Sequence, residues 1–567
     1  MSRVVRRTRL WALEKVEVVD ELLAHFADGL EAGATLDELI DAFGDERQAA
    51  RLIRRAKKRN RPLLWHALRV GTWLMAVLLL LYAVIAVRFL VGHPSPTVDY
   101  IEQLNRPRLQ VPVEQRGWPI YRKAILALGD RSSNEAGNRL GKLLNARPGG
   151  KHWPELIPWL QDHAQAVELA RHASEKPRLG FILGISGSVD DAEMFPKYSE
   201  TYPKYSRPSD GPLMSVLLPH LSDLKLLADV LWADARVAQQ QGDPVRVMRD
   251  IDALLHLAEQ MHQDNDFLIS DLIALGIRSA ALAAADEALA DKQLKLSDAH
   301  LQRLAHRLSW PKVAADLFSL SVERLNFHDV VQRAYTDDGH GDGCLTLDGH
   351  QFLLTCAVSD PKQRSGDHLL SDVLQGALVP VPTASRRDVL ERYDGLMDIA
   401  DANLRLPLRE ASWAACEQRV LAWRTSGRLA PLVTLIPGSF VTLQARAERY
   451  LGQRDGLVVG IALELYRRQR GEYPATLDTL VPQYLPAIPA DRISGDPVRY
   501  RFIAGRPVVY SVGADRKDDG GQPSLSPTGH PDPWLAVDFT VRPEHAVSGD
   551  WILYPQPEPE PESTQGE

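Results

Sequence analysis

Cysteine is scarce in this chain: 567 residues contain three, Cys344, Cys356 and Cys416. So few exclude a disulfide scaffold. In an oxidising compartment Cys344 and Cys356 are the natural pair, and buried free thiols are the alternative. Leu353 and Leu354 lean toward the thiol, because they place Cys356 in a helix-packed core. Motifs of common enzyme chemistry are also missing. The chain has no His-Glu-x-x-His, no phosphate-cradling glycine loop ending in Lys-Ser/Thr and no Cys-x-x-Cys. Gly184-Ile-Ser186-Gly-Ser188 lacks the final glycine of a nucleophile elbow. These absences leave scattered carboxylates as the remaining raw material for catalysis, and a glycosidase-like site needs only two.

Charge itself is missing in one place. From Val70 to Val87 there are eighteen residues without a charged side chain, and Leu78–Leu81 is an unbroken leucine run. With its flanks, 65–91, the stretch makes roughly 33 Å of helix, enough to cross a bilayer. Nine basic residues and no acid lie between Arg47 and Arg69, whereas Arg88, Arg106 and Arg108 beyond the stretch are mixed with Asp99 and Glu102. Basic flanks stay cytoplasmic, so the expectation is a single-pass, uncleaved signal anchor in the cytoplasmic (inner) membrane, N-terminus inside and C-terminus outside. The net charge of −8 is spread unevenly, basic before the stretch and acidic after it. No nucleic-acid partner is expected; the lipid bilayer and other envelope proteins are.

The rest of the chain divides into five segments. Residues 1–62 read as a helical module with a basic flank: Val16, Val19, Leu22, Leu23, Phe26 and Leu30 recur at helical spacing, Gly33 interrupts, and Thr35 with Glu38 opens a second helix. Phe43-Gly44-Asp45 ends that helix and Glu46–Lys58 forms a third. Residues 93–215 are mixed and mostly helical. Pro94, Pro96, Pro107 and Pro112 suggest an extended exit, followed by helices near Pro119–Leu128 and Leu156–Ala173 and a loop holding Phe195–Ser199 and Tyr202–Ser206. Residues 216–447 show amphipathic helices joined by short turns such as Gly242-Asp243-Pro244, the signature of antiparallel hairpins. Residues 448–545 mix one helix with strand-like alternation at Tyr500–Ile503 and Val508–Val512 and a hairpin turn at Gly505-Arg506. Residues 546–567, rich in Pro and Glu, read as a disordered tail. The fold class is therefore mainly α: one transmembrane helix, a large helical-hairpin region and a small C-terminal α+β domain.

Two glycine- and aspartate-rich stretches carry candidate metal ligands, with calcium as the cofactor. Asp338-Gly-His-Gly-Asp342-Gly343-Cys-Leu345, inside 337–349, resembles an EF-hand or dockerin calcium loop, with Asp338 and Asp342 at the first and fifth places and Gly343 at the sixth. His340 and Gly349 stand at the third and twelfth places, where oxygen donors belong. The second is Asp515, Asp518 and Asp519, with Arg516 and Lys517 as rival partners for the same carboxylates.

Two longer resemblances complete the reading. The Glu21-Leu22-…-His25 region and the Phe43-Gly44-Asp45 turn resemble a HAAS-type helical domain, which implies a protein-interaction module. From Gly452 to Thr540, the order Leu457–Tyr466 helix, Gly471-Glu-Tyr473-Pro474, Leu477–Leu480, Tyr484-Leu-Pro486, Asp496-Pro497, Tyr500-Arg-Phe502 and Val509–Asp515 resembles the globular part of the major pseudopilins of type II secretion. That resemblance implies a small antiparallel sheet and calcium at the loop of Asp515, Asp518 and Asp519. Here no prepilin-peptidase word opens an N-terminal apolar helix, so the secretion role does not carry over. The expected function is a binding or scaffolding role outside the membrane; a membrane-anchored hydrolase of an envelope polymer and a transmembrane sensor are the alternatives. Two buried carboxylates in a cleft would favour the hydrolase, and a filled helical stack would favour binding.

Overall fold

The structure, a computed structural model, describes residues 1–59, 61, 63–129, 134–184, 194, 211–264, 267–357, 383–425, 440–526, 529, 531 and 545–555. The described residues form nineteen α-helices and one three-stranded antiparallel sheet, so the fold is mainly helical. The chain divides into two compact units, Met1–Arg88 and Phe89–Glu567.

The first unit contains α1 (Ser2–Thr8), α2 (Ala12–Glu31), α3 (Leu36–Phe43), α4 (Glu46–Arg59) and most of α5 (Leu63–Val91). Thr35 and Glu38 form the expected reciprocal cap, with Glu38 N donating to Thr35 Oγ1 and Thr35 N to Glu38 Oε2. A small core of Val5, Leu10, Val18 and Leu22 holds α1, α2 and α4. Arg61, just before α5, forks onto Glu14 at 2.7 Å through both Nε and Nη2, and its guanidinium lies 4.0 Å from the Trp65 ring. Along α5, Trp73 and Leu78 through Leu81 are each more than half exposed.

Two helices are long and apolar enough to cross a membrane, Ala67–Val91 and Leu268–Ala290. They differ in surroundings. Only 6% of the most apolar window of the first is buried, against 56% for the second.

The second unit contains α6 (Tyr100–Gln110), α7 (Trp118–Ala127), α8 (Asn134–Leu144), α9 (Trp153–Asp162), α10 (Ala164–Ser174), α11 (His220–Gln240), α12 (Pro244–Gln263), α13 (Leu268–Ala290), α14 (Asp298–Arg307), α15 (Ser321–Ala334), α16 (Leu347–Ala357), α17 (Arg386–Leu404), α18 (Ala414–Thr425) and α19 (Phe440–Arg470). Its centre is α11, α12 and α13, packed in sequence. Asp243 opens α12 by accepting from Arg246 N at 3.0 Å, with Pro244 in the first turn. Small residues such as Ala274, Ala281, Ala284 and Ala285 are almost fully buried along α13 and let its neighbours approach closely.

Several expectations change. Pro107 lies inside α6 rather than in an extended exit, because Asp99 caps the helix by accepting from Glu102 N at 2.8 Å. The stretch expected as one helix at Leu156–Ala173 is two, α9 and α10, broken at His163. The boundary drawn at 447–448 falls inside α19, which continues unbroken for 31 residues. Residues 195–206 lie outside the described residues. Cys344 is a free thiol, and the side chain of Cys356 lies outside the described residues.

The sheet pairs β1 (Arg499–Ile503) with β2 (Arg506–Ser511), and β2 with β3 (Trp551–Tyr554). The hairpin turn is Ala504-Gly505, both with positive φ, one residue earlier than expected. β3 corrects the tail: residues 551–554 are a buried strand, and only 556–567 lie outside the described residues. The cause is a stripe on α19. A Cβ added to Gly452, Gly456 or Gly460 would lie 2.2 Å from the Trp551 ring, 2.4 Å from Leu553 Cβ and 2.6 Å from the Tyr554 ring. Three glycines at four-residue spacing form a groove, and β3 lies in it.

A methyl group placed in that groove therefore destabilises the fold. Gly456→Ala gains up to about 1 kcal/mol of helix propensity but meets the Leu553 backbone, an overpacking cost of about 1–3 kcal/mol. Denaturant unfolding of the purified chain in detergent is expected to show a lower midpoint for Gly456→Ala than for Gly276→Ala, where nothing lies within 4 Å of the added Cβ.

Candidate functional site

Three places gather carboxylates: the loop after β2, the loop between α15 and α16, and a cleft beside α10.

The loop after β2 holds Asp515, Asp518 and Asp519, and the structure adds a fourth acid, Asp550, at the start of β3. Asp518 Oδ1 accepts from the Tyr510 hydroxyl (3.1 Å) and Gly520 N (2.9 Å), and Asp518 Oδ2 pairs with Arg499 Nε at 3.0 Å. Burial alone raises its carboxyl, but these bonds and the nearby arginines outweigh burial and hold it below the usual range. Asp519 Oδ2 accepts from Gly549 N (2.9 Å) and Ser548 Oγ (3.2 Å). Asp515 Oδ1 accepts from Lys517 N, while its buried Oδ2 has no partner among the described residues. Asp550, 1% exposed, accepts from Asp519 N and Gly521 N. Burial first, then the charges of Asp518 and Asp519, push the Asp550 carboxyl up to about 6.

Asp519 and Asp550 thus lock the loop onto β3, and Asp518 ties it to β1. The cationic partner is Arg499 from the neighbouring strand, in place of Arg516 and Lys517, which are exposed and form no ion pair among the described residues. Asp550 was not anticipated because it sits some thirty residues from the loop, in a segment read as tail. Its signal was the apolar run Trp551-Ile-Leu-Tyr that follows it.

In the other loop, Asp338 Oδ1 accepts from His340 N and Asp342 N, and Asp342 Oδ1 accepts from Gly343 N and Arg387 N. Asp337 pairs with Arg386. The loop is a closed hairpin: Thr336 N bonds Cys344 O, and Asp338 N bonds Asp342 O. A Cβ on Gly343 would lie 1.9 Å from the Thr336 carbonyl oxygen, so glycine there permits strand contact. The hydrogen bonds show Asp338 and Asp342 each folding the loop or receiving the first amides of α17. Arg386 and Arg387, which complete this arrangement, were invisible until α17 packed against it. Among the described residues, no group of three or more histidine, cysteine or acidic side chains is placed to hold a metal ion.

The cleft, about 420 Å³, lies between α9, α10, α11 and α12. Leu160, Val167, Val237 and Val245 give it apolar walls, and Asp234 and Arg171 stand in its floor. Asp234 accepts from Arg171 Nη2 (2.5 Å) and Arg246 Nε (2.8 Å), and also from Arg246 Nη2. Arg171 Nε donates to Asp250 Oδ1 at 2.7 Å, and its Nη1 pairs with Glu168. Arg249 closes the rim on Glu168 at 2.9 Å. Burial, then the charge of Asp234, pushes the Asp250 carboxyl well above the usual carboxylate range. Asp250 Oδ2 has no hydrogen-bond partner among the described residues, and the Asp234 carboxylate is a nearby negative charge. These are two buried carboxylates at a cleft, yet guanidinium donors occupy both oxygens of Asp234. With Arg171 also held by Asp250 Oδ1, the pair forms an electrostatic knot across α10, α11 and α12. Sequence reading passed over Asp234 and Asp250 because they interrupt apolar helical faces. A charge among Leu231, Ala235 and Ala238 was the available signal.

Compared with known proteins, the chain matches no family model, no curated protein and no solved structure.

The knot predicts an asymmetry. Arg171→Met strands buried carboxylates and is expected to cost about 3–5 kcal/mol, while Asp250→Asn keeps a donor toward Asp234 and is expected to cost within about 1 kcal/mol. Denaturant midpoints of the two variants check this, and an equal loss would refute the asymmetry.

Proposed function

We propose that this chain is a single-pass protein of the bacterial cytoplasmic membrane. In this reading α5 is the span, Met1–Arg59 lies in the cytoplasm, and the unit from Phe89 onward lies outside, where it binds or scaffolds other envelope proteins. The observation that carries the reading is the exposed, uncharged stretch Val70–Val87 behind nine basic residues. Side chains of this kind bared around a whole helix belong in lipid. Leu268–Ala290 is assigned to the core instead, since Asp271 and Arg278 on it are buried against other helices. Binding is preferred to hydrolysis because both oxygens of Asp234, and one of Asp250, accept from arginines. The sensor alternative draws support from the Arg61–Glu14 fork, which ties the basic module to the start of the span.

A periplasm-active reporter fused after Gly92 is expected to be active, and the same reporter fused before Arg47 silent. The reverse pattern would overturn the orientation.

A second reading, calcium at the loop of Asp515, Asp518 and Asp519, draws on one observation. Burial first, then the charges of Asp518 and Asp519, raise Asp550 to about 6, and a divalent cation relieves such crowding of carboxylates. The order of α19, Leu477–Leu480, β1, β2, this loop and β3 is the basis of the proposed likeness to the globular part of pseudopilins. Asp338 and Asp342 are a weaker candidate pair, because their carboxylates already serve the loop's own amides.

The sign of the pH effect follows. Asp550 rises from 3.8 to about 6 on folding, so its contribution is fully present below 3.8 and is lost as pH climbs through 6. Calcium is therefore expected to raise the unfolding temperature of the full chain more at pH 7 than at pH 5, and Asp518→Ala to abolish the gain. No shift at millimolar calcium would dismiss the site.

A further inference from the structure

The basic residues before α5 fall into two groups. Lys57 reaches Glu21 at 2.7 Å and Glu17 at 2.9 Å on α2, and Arg61 forks onto Glu14. Those two hold the first unit together. Arg47, Arg51, Arg54 and Lys58 form no ion pair among the described residues, and neither does Arg69. Along α4 the four are spaced four, three and four residues apart, so they stand on one face of the helix. Lys57 shares a different face with the buried Ala50. Arg47 and Arg51 are exposed, and Arg54 and Lys58 are half-buried, so the stripe is open to solvent and an anion needs no cavity to reach it.

Like charge concentrates at the C-terminal end of the stripe. The Lys58 ammonium is held below its usual value, first by the charge of Arg54, then by burial and by the charges of Arg69 and Arg61. Glu14 opposes this, but its carboxylate is already forked by Arg61. Arg54 Nε is buried and has no hydrogen-bond partner among the described residues. Arg69 belongs to α5, so the stripe ends where the apolar helix begins. Aromatic rings mark the same place. The Trp65 ring lies 4.0 Å from the Arg61 guanidinium and 5.4 Å from that of Arg69. Trp11, 62% exposed, meets Trp65 edge-on at 6.4 Å. Tryptophan beside arginine at the end of an apolar helix matches the headgroup layer of a bilayer, wet on one side and apolar on the other. Nucleic acid would answer the charge but would leave the adjoining apolar turns of α5 in water.

We propose that the stripe of Arg47, Arg51, Arg54 and Lys58, continued by Arg69, binds the phosphate groups of anionic phospholipids in the leaflet where the span begins. This rests on α5 being the span and deepens that reading by naming the lipid class. The helix α4 then lies along the membrane surface, with Lys57 and Arg61 turned to α2 and taking no part.

The test reconstitutes the full chain in phosphatidylcholine vesicles carrying a trace of spin-labelled phosphatidylglycerol or spin-labelled phosphatidylcholine. The fraction of each label that the protein immobilises is compared. The anionic label is expected to associate roughly threefold or more strongly than the neutral one, the order of attraction of a basic side chain at a bilayer surface. Replacing Arg51→Gln, Arg54→Gln and Lys58→Gln together is expected to erase the preference, while Arg51→Lys, Arg54→Lys and Lys58→Arg together keep it. Equal association of both labels with the parent, or a preference that survives the three glutamines, would overturn the proposal. Should the glutamine variant fail to fold, Arg47→Gln with Arg51→Gln, both at exposed positions, takes its place, and an undiminished ratio overturns the site. If the labels associate equally while a mixed-sequence RNA binds the parent and not the glutamine variant, the stripe belongs to nucleic acid instead. Failure of the chain to float with the vesicles would overturn the span and this site with it; flotation without a lipid preference overturns the site alone.

Discussion

Close approach along α19 is the constraint on which the rest of the second unit depends. One flank of this helix packs against α13 and α14, and its glycine stripe receives β3. Any side chain larger than hydrogen at Gly452, Gly456 or Gly460 would push the strand off. β3 would then lose its groove, β2 its inner neighbour, and the loop of Asp515, Asp518 and Asp519 the Asp550 carboxylate that locks it. The three absent side chains thus couple a helical stack to a small sheet. This coupling explains why the helical region and the α+β region share one core.

Buried charge is the second organising theme. Arg171, Asp234 and Asp250 join α10, α11 and α12, and Arg492 with Asp455 and Glu448 joins the loop before β1 to α19. In each case donors and acceptors nearly balance, so the desolvation cost is offset by several charge-assisted bonds at once. Such knots specify which helix faces which, since a slip by one residue would leave a charge unpaired in an apolar core. Arg278 is buried as these arginines are but lies outside the knots, beside the Tyr450 hydroxyl and the charge of Asp271.

The acidic loops share a different physics. Aspartate is favoured where backbone amides turn back on themselves, because its short carboxylate reaches the amide two residues on. Asp337, Asp338, Asp515 and Asp518 all do this. A run of aspartates and glycines therefore reads alike whether its carboxylates hold amides or a cation. What separates the two is how many oxygens remain uncommitted. Crowding around Asp550 leaves the loop after β2 the better placed.

The one-dimensional pattern of the sequence determined what depends on near neighbours. The exposed apolar helix, the Thr35 and Asp243 caps, the hairpin of β1 and β2 and the helical character of 216–447 were legible because a helix repeats every 3.6 residues and a strand every two. Those signals need only a few consecutive side chains. Tertiary structure alone decided the groove that turns Trp551–Tyr554 into a strand, the pairing of Asp518 with Arg499, and the meeting of Asp234 with Asp250. Each of these joins residues that are far apart in the chain, and an ion pair or a close approach leaves no periodic trace. Its energy comes from desolvation and contact, which exist only once the helices have packed.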